Sequence, residues 1–291
     1  MTGEPHASRF GSLPLTFTKM SGAGNDFLVF GARVERGPRE TEAIRKLCRR
    51  GTGVGADGVL FVFVERPGDP SSRVVADYVN ADGSAGRFCG NGTRCAARFA
   101  VRRGLAGPAL VVATGWGAVG ATVRADGTVA LSLPEPVAVG RAVPALDETG
   151  EMLEHDAFAL VVGVPHVVLY VKPDVDLASL DLSVLGPRNR RHPAMREGAN
   201  ANFVKVLSAS RLEVRTWERG VEAETLACGS GAIASAVVTS FLTGAPPPLS
   251  VATRSGETLE VSFAKDGEIA RELTLTGDAR FVFEGTLEEE A

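Results

Sequence analysis

A short phrase occurs twice in the chain, Cys89-Gly90-Asn91-Gly92 and Cys228-Gly229-Ser230-Gly231, and each copy opens a run of small apolar residues that reads as a helix. Two thiols are thereby placed at two helix N-termini. The first N–H groups of a helix lack partners within it and carry roughly half a positive charge, which favours a thiolate and draws in anions. Glycines beside each thiol clear the approach, so backbone donors can close on a carboxylate held between the two ends. A repeat of this kind points to two similar halves facing each other across one site.

Composition is compatible with that arrangement. The 291 residues, 44% hydrophobic and 23% charged, suffice for two domains. A net charge of −4 argues against nucleic acid or an anionic membrane as partner and leaves a small molecule. No apolar run reaches the roughly 20 residues of a membrane span, and Met1 to Pro14 lacks a signal-peptide core. We therefore expect a cytoplasmic protein with a frayed tail over residues 1–14. The cysteines Cys48, Cys89, Cys95 and Cys228 show no paired C-x-x-C spacing, so reduced thiols are expected rather than a zinc site or a disulfide framework.

Short apolar or alternating segments between Gly, Asp and Pro read as strands: 15–20, 26–30, 59–64, 73–79, 110–113 and 128–133 in the first half. The second half has 158–162, 167–171, 202–207, 212–217, 249–253, 258–263 and 272–276. A surface helix is predicted over 41–50, capped by Thr41, with Ile44, Leu47 and Cys48 on its inner face. The proline-bearing stretch Pro134 to Pro144 reads as the crossing between halves. Helices are predicted over 90–103 and 229–242, the second apolar nearly all round and so buried on every side. The fold class is α/β of α+β type, each half a curved, mostly antiparallel sheet around one central helix. Domain bounds are 15–133, completed by a C-terminal strand 277–287, and 134–276.

Two thiols at a carboxylate-binding gap suit removal of an amino acid's α-proton on one face and its return on the other, with a thiolate as base and a thiol as acid. The carbanion's charge spreads into the carboxylate, at which both helix ends point. Taken singly, the other polar groups have plain readings. Asn80-Ala81-Asp82-Gly83 is a good turn, Glu218-Arg219 a surface ion pair, and His166 a hydrogen-bonded core residue. Gly53-Val54-Gly55-Ala56-Asp57-Gly58 matches G-x-G-x-x-G but leads from a helix into a strand, the reverse of a dinucleotide site. Cys95, well inside its helix, reads as packing.

Together, Gly24-Asn25-Asp26-Phe27, Asn80-Ala81-Asp82-Gly83-Ser84, Cys89-Gly90-Asn91-Gly92-Thr93-Arg94, Glu218-Arg219-Gly220 and Glu224-Thr225-Leu226-Ala227-Cys228-Gly229-Ser230-Gly231 resemble the diaminopimelate epimerase family, in order from Leu15 to Leu287. The resemblance implies a pseudo-symmetric pair of domains with the site in the cleft between them, and no pyridoxal phosphate or metal. It also implies interconversion of LL- and meso-diaminopimelate toward lysine and peptidoglycan. By matching position, Cys89 and Cys228 would be the acid/base thiols. Gly90, Asn91, Gly229 and Ser230 would offer backbone donors to the reacting carboxylate. Asn25, Asn80, Asn200, Glu218 and Arg219 would line the substrate pocket, Arg219 facing the distal carboxylate, while His166 and Glu218 would lie close to the thiols.

Two positions depart from the family pattern: Val164 where many members have asparagine, and Gly58 where some have glutamine. By the resemblance both would be substrate-contacting positions, and loss of an amide there would cost about 1 kcal/mol of contact to the distal end of the substrate where no neighbour or water substitutes. Two other readings stand beside the epimerase: a racemase of the same architecture for proline, hydroxyproline or histidine, and a thiol redox or ligand-binding protein. Arg219 with Asn80 and Asn200 favours a substrate carrying a second charged end. The expected partner is a small-molecule amino-acid substrate, with a homodimer as the assembly open to the chain. Closure of the domains on substrate is expected, because a carbanion open to water loses its preorganised field.

Overall fold

The computed structural model describes residues 10–69, 72–86, 88–133, 137–146 and 152–288, with side chains from residue 157 onward in the last segment. The chain divides into two compact units, one running to Leu131 and resuming at Asp278, the other Ser132–Gly277.

In the first unit, strands β1 (Thr16–Gly22) and β2 (Asn25–Phe30) form a hairpin, followed by helix α1 (Pro38–Cys48), β3 (Gly58–Val64), β4 (Val74–Asn80), helix α2 (Gly90–Arg102), β5 (Ala109–Thr114), β6 (Gly117–Val123) and β7 (Val129–Ser132). The hairpin turn takes Ala23 at φ 50 and Gly24 at φ 90, the left-handed pair that matches strand twist. β3 runs parallel to β2 and antiparallel to β4; β5 runs parallel to β4 and antiparallel to β6. The C-terminal strand Arg280–Thr286 returns to pair with β1. Two-residue alternation sorts the side chains. Phe27, Val29, Leu60, Val62, Val74 and Ala76 pack on Cys95, Ala96, Phe99 and Ala100 of α2, whereas Leu28, Phe30, Val59 and Phe61 pack on Ile44 and Leu47 of α1.

In the second unit, β8 (Val137–Ala138), β9 (Arg141–Leu146), β10 (Met152–Val162) and β11 (Val164–Tyr170) precede helix α3 (Leu182–Arg190). Then come β12 (Asn200–Ser208), β13 (Arg211–Glu218), β14 (Ala223–Thr225), helix α4 (Gly229–Thr243), β15 (Leu249–Ala252), β16 (Thr258–Asp266) and β17 (Ile269–Gly277). Pairings repeat the first unit's plan: a tight β10–β11 hairpin through Gly163, β12 parallel to β11, β13 antiparallel to β12, and β15 parallel to β13 across α4. Every residue of α4 from Gly231 to Ser240 is buried. Its buried hydroxyls turn inward, Ser235 donating to the Gly231 carbonyl and Thr239 to the Ser235 carbonyl, both at 2.7 Å.

Three local expectations are corrected. α1 starts at Pro38 and is capped by Gly37, whose N–H donates to Glu40, rather than by Thr41, whose hydroxyl donates to the Gly37 carbonyl. The stretch expected as a plain crossing contains β8 and most of β9; residues 134–136 lie outside the described residues. Helix α3 was not expected: Pro187 sits inside it and its apolar residues form no stripe. The predicted frayed tail, 1–14, falls mostly on residues outside the described set.

The shared register equates positions between units. Gly58 stands opposite Phe27 and Asn80; Asn200 stands opposite His166, and the Ala201–Trp217 pair sets it across from Glu218. Hence Asn25 corresponds to Val164, Phe27 to His166, Gly58 to Asn200, Leu60 to Asn202, Asn80 to Glu218, and Arg94 to Ile233.

Candidate active site

In the first unit, β2 and β3 begin and β4 ends at one margin of the sheet, and alternation turns Asn25, Gly58 and Asn80 toward α2. Cys89 is the N-cap of α2. Its sulfur accepts from the Gly92 N–H at 3.5 Å, while the N–H and hydroxyl of Thr93 donate to its carbonyl at 2.8 and 2.9 Å. Asn91, almost fully buried in the first turn, donates through Nδ2 to Asn25 Oδ1 at 2.6 Å, and Asn25 Nδ2 donates to Asp57 Oδ2 at 3.0 Å. Asp57 links the next loop as well, its carbonyl accepting from the Ala81 N–H at 3.2 Å. Asn80 donates to Ser84 Oγ at 2.9 Å, closing the turn that carries it. Cys89, Asn91 and Asn25 thus form one cluster, with Asn80 in the adjoining turn.

The second unit builds the corresponding cluster from different chemistry. Cys228 caps α4, with Ser230 Oγ at 3.5 Å and Asn200 Nδ2 at 3.9 Å from its sulfur. Glu218 accepts from Thr225 Oγ1 at 2.6 Å and touches the Cys228 thiol. Burial pushes that thiol well above its usual value and the Glu218 charge adds to the rise; the Ser230 hydroxyl and the Gly231 N–H pull the other way. Burial also raises Glu218 itself, against the hydrogen bonds from Thr225 and Cys228. Asn200 Oδ1 accepts from the Arg219 N–H at 2.8 Å, and the Arg219 guanidinium donates to the Glu197 carbonyl at 3.3 Å.

His166 is fully buried, and burial holds its imidazole down at about 3, with the Arg219 charge acting in the same direction and the Asn202 hydrogen bond opposing. Its Nδ1 lies 3.1 Å from Asn202 Nδ2, which also donates to the Val167 carbonyl. That fixes the amide as donor and assigns the ring proton to Nε2. Of the two residues expected near the thiols, Glu218 hydrogen-bonds to the Cys228 thiol, while His166 Nδ1 faces Asn202. Gly229 and Ser230 form the first turn of α4, and Gly231 brings that turn onto Asn202 and Thr216: a Cβ there would lie 2.3 Å from Asn202 Oδ1.

Sequence reading passed over Asp57, Arg94 and Asn202. Asn202 was the most accessible of these, because two-residue alternation from Asn200 puts both amides on the α4 face. Cys48 and Cys95 pack in the two cores of the first unit; burial lifts Cys48 to about 12 and Cys95 higher still. Among the described residues, no group of three or more His, Cys, Asp or Glu could hold a metal ion, and no helix is long and apolar enough to cross a membrane.

Comparison with known proteins adds a second line of observation. The family model described as diaminopimelate epimerase matches residues 17–139 and 158–282. The diaminopimelate epimerase of Aquifex aeolicus is 39% identical over 95% of this chain and 99% of its own length; that of Archaeoglobus fulgidus is 36% identical over 94% and 96%. Solved structures with the same fold include a hydroxyproline epimerase from Agrobacterium vitis, at TM-score 0.62 and 15% identity over 94% of this chain and 92% of that one. Another is a phenazine biosynthesis protein of the PhzF family from Bacillus anthracis, at TM-score 0.67 and 14% identity over 94% and 99%. At such identities the likeness is one of fold alone.

Proposed function

The chain belongs to the diaminopimelate epimerase family, and on that premise we propose that it is an isomerase interconverting LL- and meso-2,6-diaminopimelate, a step toward lysine and peptidoglycan precursors in the cytoplasm. The observation that carries the chemistry is the duplicated placement of Cys89 and Cys228 as N-caps of α2 and α4.

One cysteine enters as thiolate and takes the α-proton: the Cα–H bond breaks, an S–H bond forms, and the electron pair moves into the carboxylate. The other cysteine, entering as thiol, gives its proton to the opposite face, so its S–H bond breaks and a new Cα–H bond forms. The enzyme is left with thiolate and thiol exchanged, and the reverse reaction uses that state. Gly90, Asn91, Gly229 and Ser230 supply first-turn N–H groups to the substrate carboxylate as charge develops on it. Asn25, Asn80 and Asn200 orient the substrate, and Arg219 takes the distal carboxylate. Glu218 holds the Cys228 proton in place until it is needed. The reading calls on neither pyridoxal phosphate nor a metal.

The test is incubation with LL-diaminopimelate, proline, hydroxyproline and histidine, following inversion by chiral chromatography. Inversion of diaminopimelate alone is expected. Turnover of another amino acid in its place would overturn the substrate, and no inversion of any would overturn the chemistry.

A further inference from the structure

Arg94 is fully buried, and its position in the second unit is held by Ile233, so packing of the central helix does not by itself call for a guanidinium there. Nη2 donates to Asn91 Oδ1 at 2.7 Å and Nε to the Asp278 carbonyl at 3.1 Å, while Nη1 has no hydrogen-bond partner among the described residues. Its hydrogen-bonding partners are therefore neutral. A buried cation lacking a hydrogen-bonded anion is costly, and burial draws the guanidinium below its usual value.

The surrounding carboxylates make their hydrogen bonds and ion pairs elsewhere, and only Asp278 also acts on Arg94 through its charge. On the β1–β2 hairpin and the loop before β3, Asp26 is matched by Lys19 at 2.6 Å and by Arg50, which also takes Asp57 at 2.9 Å. In the returning C-terminal segment, the Asp278 carboxylate accepts from the Ala23 N–H at 2.7 Å and pairs with Arg280 at 3.0 Å. Past β4, Asp82 is engaged by Ser84. The groups whose negative charge would favour Arg94 are Cys95, held as a thiol by full burial, then the Asp278 carboxylate and, after it, Cys89 on α2 itself. The second unit carries the opposite bias, with Ile233 in place of the cation and Glu218 in place of Asn80.

We propose that Arg94 is a positioning residue: its fork holds the Asn91–Asn25 amide chain at the mouth of α2, and its charge makes Cys89 the resting thiolate while Cys228 rests as the thiol. This rests on the reading that Cys89 is a working thiol. The geometry gives the fork and the charge separate consequences. The fork sets where Asn25 and Asn91 stand and so governs turnover; the charge sets the ionisation of Cys89 and so governs its reactivity even without substrate.

The experiment is site-resolved alkylation with iodoacetamide between pH 5 and 10, read by mass spectrometry. In the unaltered protein, the Cys89 profile should have its midpoint at lower pH than that of Cys228; the reverse order would overturn the proposal. In a Cys228→Ala background, Arg94→Met should slow Cys89 alkylation at pH 7 about tenfold and move its profile about one unit to alkaline. Arg94→Lys should keep the profile within about twofold at each pH, while the same change in the otherwise unaltered enzyme lowers kcat about tenfold through loss of the fork. A folded Arg94→Met variant with an unchanged profile, or Arg94→Lys at full kcat, would overturn the assignment. If Arg94→Met does not fold, the order of the two midpoints in the unaltered protein decides the charge and Arg94→Lys decides the fork. Alkylation needs no substrate, so failure of the epimerase reading would leave this result standing and be recognised separately.

Discussion

Glu218 lies against the sulfur of Cys228 while its carboxylate accepts from Thr225 Oγ1 at 2.6 Å. A carboxylate beside a buried thiol opposes ionisation of that thiol, so the second unit keeps its cysteine protonated. Glu218→Gln should therefore move the alkylation profile of Cys228 to lower pH and reduce kcat. Burial raises Glu218 above its usual value, meaning that the folded protein binds this proton more tightly than the unfolded chain does. Stability contributed by the protonated group is present below the unfolded value and is lost as pH rises through the folded one. At pH 7 the variant should accordingly melt about 2 °C higher than the parent, as scanning calorimetry would show.

His166 gives the opposite pH signature. Burial holds it at about 3, so the folded protein excludes a proton that the unfolded chain binds below roughly 6.5. Its contribution is complete above that unfolded value and is lost as pH falls toward the folded one. Urea unfolding at pH 5 and pH 7 should show a pH-linked loss about 2 kcal/mol larger in the parent than in His166→Gln. Equal losses would mean that His166 is protonated in the folded state.

Gly231 and Gly244 separate two uses of glycine at the two ends of α4. A Cβ at Gly231 would meet Asn202 Oδ1 at 2.3 Å and Thr216 Oγ1 at 3.1 Å. Gly231→Ala should cost about 2 kcal/mol and disturb Cys228, with a large loss of kcat. Gly244 closes the helix at φ 76 with open space around it, so Gly244→Ala should cost about 1 kcal/mol and leave turnover intact. Denaturant melts with parallel kinetics would distinguish the two.

Val164 begins β11 at the position that Asn25 occupies in β2. Restoring an amide by Val164→Asn should lower KM for diaminopimelate about fivefold at little change in kcat, the effect of about 1 kcal/mol of added hydrogen bonding. An unchanged KM would show that this position does not meet the substrate. Gly58 is less open to such repair: a Cβ would lie 2.6 Å from both the Tyr78 ring and the Val79 carbonyl.

The two central helices and the strand–helix rhythm were legible because apolar periodicity and glycine punctuation report directly on burial. Helix α3 was not, since Pro187 and scattered polar residues hide a helix that packs chiefly on β13 and β14. Nor was the cap of α1 legible. Thr41 has the right side chain, but Glu40 reaching back to the Gly37 N–H fixes the start one turn earlier. Buried polar groups were the hardest to see. Arg94 looks like any helix-surface charge, and only the topology that brings Asp278 and Asn91 onto it reveals the guanidinium as interior. Asn202 was hidden by the same ambiguity, although its spacing from Asn200 carried the signal.

Two thiols acting on opposite faces of one carbon leave an isotopic record. The most direct measurement is conversion of LL-diaminopimelate in deuterated water, stopped below about a tenth of conversion, with α-hydrogen content of both isomers read by mass spectrometry. Transfer through Cys89 and Cys228 requires meso product carrying deuterium at the inverted carbon while unreacted LL-isomer stays protiated. Product that retains the original proton would contradict it, because a single group would then be removing the proton and returning it.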